Sequence, residues 1–251
     1  MLIQAIVFVG CAVLAAVLGF YVVDRVVPGK VREEENEVAG FIYAMLGVVY
    51  AVLLAYVIVL VWEHYEEARK IATEEANRAA SLYEVAAQYP AADKKKLQDG
   101  LKQYAHTVID EEWALMGQGK ESEKAWKTID DLVETASASP ANNLREQAVL
   151  AQGMQHVHEL SDTRRERLLL SRHSLHPALW AALVIGGIVT VGFTYFFGLA
   201  RRAAQAGMIA AMTVIVAGGL FLVQVTDLPF SGDVSVRPDA LESVLARWEA
   251  H

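Results

Sequence analysis

The chain has 251 residues, a formal net charge of -8 and 54% hydrophobic residues. That mixture suits a small membrane protein with a sizeable water-facing part, and the acidic balance argues against a nucleic-acid partner, which would select a basic face. The one cysteine, Cys11, excludes a disulfide framework within the chain and reads as a small buried hydrophobe.

Four apolar stretches are long enough to cross a bilayer, which takes roughly 20 residues. In chain order they are residues 2–23, 38–62, 178–200 and 203–226, and none contains Asp, Glu, Lys or Arg. The first has no basic stretch before it and is longer than a signal-peptide core of about 7–15 residues, so a retained span is expected. The expected fold class is an all-α membrane protein with its spans in two hairpins, 1–62 and 177–226. Residues 63–176 are inserted between them as a soluble helical bundle, and 227–251 form a tail.

Inside the insertion, 63–89 continues the second span without a break until Pro90, because the residue before a proline resists the helical conformation. Helices are then expected over 93–116, stopped by Gly117 and Gly119, over 121–138, ended by Ser139-Pro140, and over 143–174. No useful strand-like alternation occurs. A helix over 38–89 would be about 78 Å long, of which only about 30 Å can lie in hydrocarbon. The rest needs neighbours to bury Ile71, Leu82 and Val85.

Basic residues bear on orientation. The short loops carry Arg25, Lys30, Arg32, Arg201 and Arg202, and the bundle side carries Arg69, Lys70, Arg78, Arg164, Arg165, Arg167, Arg172 and Arg237. Five against eight favours a cytoplasmic bundle under the positive-inside rule.

No phosphate loop, nucleophile elbow or zinc-type cysteine pair is present, so no enzyme, cofactor or metal site is expected. His156 and His158 diverge by about 200° on a helix and read as solvated, and His173 and His176 read as interfacial rings. "DEEW", residues 110–113, reads as bundle surface with an anchoring Trp. "REEENE", residues 32–37, is either a solvated turn at a helix start or, repeated around an oligomer, an acidic pore mouth. That mouth would consist of Glu33, Glu34, Glu35 and Glu37 and would attract cations. Ala44, Val48, Val52, Ala55 and Val59 recur at helical spacing as a small, smooth stripe. The stripe either packs on another helix or lines a pore. Gly186, Gly187, Gly192, Gly218 and Gly219 are expected at tight helix contacts. In the tail, Asp227, Pro229, Phe230, Gly232 and Asp233 read as a helix stop and turn, or as a clasp on another segment.

"GVVYAVLLAYVIVLVWEHYEEA" resembles the pore-lining second helix of bestrophins, with their W-x-x-Y sequence at Trp62 to Tyr65. "DLPFSGDVSVRP" resembles the Pro-Phe-Gly-acid segment after their last span. With "EVAGFIYAMLGVVYAVLLAYV" and "SDTRRERL", the whole chain resembles the bacterial bestrophin-like family. The resemblance implies a homo-oligomeric, pentameric ion channel in the bacterial inner membrane with cytosolic termini. Its partners are then the lipid bilayer, further copies of itself and permeating inorganic ions. It moves the stripe from packing to pore lining and puts a hydrophobic neck near Ala44, Val48 and Val52, where bestrophins carry bulkier residues. It does not bring a calcium site with it, because Val, Ser and Val follow Asp233 instead of a run of acids, leaving Asp227 and Asp239 as the other nearby acids. The acidic loop and net charge point to cation preference. The competing expectation is a non-conducting membrane protein whose bundle binds a partner or senses a signal.

Overall fold

The computed structural model describes residues 1–27, 36–199, 201–232 and 234–250, so Glu33, Glu34, Glu35 and Asp233 lie outside the described residues. Every regular element among the described residues is helical. The α-helices are α1 (Leu2–Val26), α2 (Asn36–Ala86), α3 (Ala91–Thr107), α4 (Trp113–Met116) and α5 (Glu123–Ala138). They continue with α6 (Leu144–Arg172), α7 (Pro177–Phe193), α8 (Arg202–Thr226) and α9 (Asp239–Glu249). A π-helical turn, Val108–Glu112, joins α3 to α4, and a 3₁₀ turn, Thr194–Phe196, follows α7.

Local chemistry sets these bounds. α2 runs 51 residues because no proline interrupts it before Pro90. Asn143 caps α6, its side chain accepting from Glu146 N at 2.9 Å, while the Glu146 carboxylate accepts from Asn142 N at 2.6 Å. Pro177 opens α7, where a missing N–H costs nothing. α7 ends seven residues before the expected residue 200 because side chains capture the chain beyond it. The Asn36 amide both donates to Gly198 O at 2.8 Å and accepts from Gly198 N at 3.0 Å, and Tyr195 donates its hydroxyl to Ala16 O at 2.7 Å.

Two compact units emerge: Met1–Glu63 with Ser174–Asp227, and His64–His173 with Leu228–His251. Among the described residues four helical stretches are long and apolar enough to cross a membrane: α1, α2, Leu144–Phe196 through its α7 part, and α8. The first unit packs α1 along α8 and buries Phe20, Tyr50, Leu54, Val57, Leu183 and Val216. Cys11 is exposed on α1, contrary to its expected burial, since the covered face of that helix is the one carrying Ala16 and Phe20. The second unit is a helical bundle around Leu82, Leu97, Leu101, Ile129, Leu132 and Leu160. The tail helix α9 joins that core through Leu241, Leu245 and Trp248, whose ring stacks on Tyr83 at 4.6 Å.

The glycines divide into two groups. A Cβ on Gly186 would meet the Tyr50 ring at 2.8 Å, and one on Gly219 would meet Leu54 at 2.8 Å. Gly192 and Gly218 have nothing within 4 Å. Gly219→Ala is therefore expected to overpack the unit and destabilise it by about 1–3 kcal/mol. Gly218→Ala, one residue earlier, should leave the thermal midpoint in detergent unchanged or slightly raised.

Candidate functional site

In the first unit, α2 buries one face and leaves the other bare. Tyr50, Leu54, Val57 and Val61 are covered, while Ala44, Val48, Val52, Ala55 and Val59 are all exposed. Val48, Val52 and Val59 keep 63%, 65% and 55% of their surface. An apolar row left so open within one chain requires lipid, another copy or a lumen to face it. Glu37, the described member of the acidic loop, is exposed in the first turn of α2.

The described clasp residues take separate partners within their own units. Asp227 ends α8 and holds the start of α7, accepting from Leu175 N at 2.6 Å and from Trp180 Nε1 at 3.1 Å. Phe230 is buried in the second unit, edge-on to Trp113 at 5.7 Å, and Val236 N donates to Pro229 O at 2.7 Å. Gly232 adopts φ 82°, which its lack of a Cβ permits.

In the second unit α2 exposes Glu66, Lys70, Thr73 and Asn77. These residues help line a groove of about 500 Å³ together with Arg69, Glu74, Arg78 and Ser81. The opposite face carries a charged group that sequence reasoning missed. Glu75 is 1% exposed and accepts from Arg167 Nε at 2.5 Å, from Arg167 Nη2 at 3.0 Å and from the Tyr104 hydroxyl at 2.6 Å. Arg167 Nη2 also donates to Glu112 at 2.7 Å. Glu112 in turn accepts from Arg164 through both Nε, at 3.1 Å, and Nη2, and from Ser122 N at 3.0 Å. The Arg164 guanidinium lies 4.1 Å over Trp126 and that of Arg167 lies 4.8 Å over Trp113. Two carboxylates thus face two guanidiniums, and the group is formally neutral.

Glu112 corrects the reading of residues 110–113 as bundle surface. Asp110 and Glu111 are exposed, but Glu112 is fully buried. The π turn carries one extra residue per turn, so burial steps by fours, Val108 to Glu112 to Met116, and the carboxylate swings inward. Burial alone would push the Glu112 carboxyl up. The Arg164 hydrogen bond and the Arg167 and Arg164 charges outweigh burial and hold it below its ordinary value. Burial, then the Glu75 carboxylate, push the Tyr104 hydroxyl well up, so it remains a donor. Burial opposes the charge on Arg167, but Glu75 keeps it more firmly protonated than a free guanidinium. Arg164 and Arg167 are neutralised inside the bundle, so two of the eight basic residues on that side cannot meet lipid headgroups. Among the described residues no three of His, Cys, Asp and Glu are arranged to hold a metal ion.

The Bestrophin-like domain family matches residues 10–241. The chain belongs to that family. Two variants of a bacterial bestrophin homolog from Klebsiella pneumoniae share the fold of this Bestrophin-like chain. One gives a TM-score of 0.67 at 11% identity, covering 97% of this chain and 99% of that one. The other gives 0.68 at 11%, covering 99% and 97%. A further membrane protein gives 0.64 at 10%, covering 95% and 97%. No curated protein matches. At such identities the likeness is one of backbone path, so the roles of side chains in this Bestrophin-like protein rest on its own geometry.

Glu112→Gln should leave Arg164 and Arg167 short of a buried counter-charge and cost about 3–5 kcal/mol at pH 7. In the parent chain the lowered carboxyl binds its proton less readily when folded, so the unfolded chain protonates first. Its contribution is complete above the ordinary value of 4.5 and is lost as pH falls through the lowered folded value. Thermal midpoints measured from pH 7 to pH 3 should decline in that acid range, and Glu112→Gln should flatten this part of the decline.

Proposed function

We propose that the Bestrophin-like chain forms a homo-oligomeric, pentameric ion channel whose route is lined by α2. The observation that carries the reading is the bare row Ala44, Val48, Val52, Ala55 and Val59, directly opposite a well-packed face of the same helix. Small apolar side chains around a shared axis make a narrow lumen that passes or stops ions through wetting and drying. Glu66, Lys70, Thr73 and Asn77 continue the row at steps of three and four residues, so the route would become polar past Trp62. Family membership supports the same reading, and no enzymatic role is proposed. The bundle and both termini are proposed to be cytoplasmic, in a bacterial inner membrane.

Purified protein in liposomes should release trapped inorganic ions down a gradient. A sealed vesicle under every gradient tried would overturn the channel. Native mass measurement in detergent should give five copies, whereas two copies would favour a bundle that binds a partner without conducting. Changing Glu33, Glu34, Glu35 and Glu37 together to Gln should shift the bi-ionic reversal potential away from cations.

A further inference from the structure

We infer that the Glu75–Arg167 pair is the rotational key of α2 in the bundle: it decides which face of the helix is left uncovered there. The functional meaning of that face rests on the channel reading, while the key itself does not. From Ala68 to Ala79 the buried row of α2 is Ala68, Ile71, Ala72, Glu75, Ala76 and Ala79. Four of the six are alanines, which project one short methyl each. A small turn about the helix axis therefore changes apolar contact little, and the seam lets helices approach closely without fixing their rotation. Glu75 differs, because its carboxylate meets the planar fork of Arg167 through two donors and also accepts from Tyr104. Paired parallel hydrogen bonds fix direction as well as distance.

The fork is itself immobilised. Arg167 donates to Glu112, lies over Trp113 and points Nη1 at Met116 Sδ, 2.6 Å away. Glu75 thus reads a fixed point in the bundle. Arg78, which pairs with Glu159 of α6 at 2.9 Å and with Glu74 of its own helix at 3.0 Å, lies at the partly exposed rim, where ion pairs hold geometry weakly. Ile71 is the single bulky apolar residue of the buried row, and more follow at Leu82 and Val85. Between Ala68 and Ala79 the directional contact is electrostatic, and it points away from Glu66, Lys70, Thr73 and Asn77.

The test is cysteine mapping on the full chain carrying Cys11→Ser. Single changes Glu66→Cys, Lys70→Cys, Thr73→Cys and Asn77→Cys sample the bare face, and Ile71→Cys and Ala72→Cys sample the covered one. A charged thiol reagent should modify the first four and spare the last two. Glu75→Gln with Arg167→Met removes both charges of the pair together, leaving Glu112 with Arg164. The contrast between the faces should then fall by about tenfold or more while helicity and oligomer mass stay unchanged. An unchanged contrast in a folded double variant would overturn the key and leave the pair a mere stabiliser. Should that variant not fold, Arg167→Lys keeps the charge but not the fork, and the same loss or persistence of contrast decides. Ion release from the same liposomes separates the two proposals. A pattern that shifts in the double variant with no flux from the parent chain sinks the channel alone, and flux from the parent chain with an unmoved pattern in the variant sinks the key alone.

Discussion

The second unit is organised around a neutral square of charge, Glu75, Arg167, Glu112 and Arg164, sealed from water. Taking four charges out of solvent costs more than a like volume of leucine would, so the square is weak evidence for stability as such. What it contributes is direction. Glu75 of α2 is shared between Arg167 of α6 and Tyr104 of α3, and Glu112 of the π turn is shared between Arg164 and Arg167 of α6 and the Ser122 N–H ahead of α5. An apolar core of the same size would tolerate small slips that this arrangement forbids, because any slip leaves a buried charge without its partner.

The two halves of α2 face different solvents, and one helix serves both by changing what its two faces carry. In the membrane unit one face grips its neighbours through Tyr50 and Leu54, fitted against Gly186 and Gly219, and the other leaves open the row of Ala and Val together with the larger Phe41, Met45 and Tyr56. In the bundle the gripping face from Ala68 to Ala79 becomes mostly alanine, with Ile71 and one buried acid, and the bare face becomes polar. Close approach is achieved in both, by glycine on the partner helices in the membrane unit and by alanine on α2 itself in the bundle.

Much of this was legible in the residues. The apolar runs gave the spans, because 20 uncharged residues have few other uses, and prolines and glycines gave the helix ends to within a few positions. The end of α7 was not legible, because it depends on the side chain of Asn36 reaching Gly198 across 162 residues. The square was missed for a different reason. Arginines and glutamates are normally solvated, so Arg164, Arg167, Glu75 and Glu112 read as surface. A signal was there to find: Val157, Leu160, Arg164, Arg167 and Ser171 step by three and four along α6, which places both arginines in the register of its core. Glu112 gave no such signal, because a π turn shifts the register without any marking in the sequence.

The square also fixes an order of events during synthesis. Glu75 leaves the ribosome 92 residues ahead of Arg167. At about 5–20 residues per second that gap is roughly 5–18 s. Through this interval the alanine seam has little to collapse onto, and the carboxylate keeps its water. Docking of the polar half of α2 must therefore await the arrival of α6, so the first hairpin can enter the bilayer well before the bundle closes.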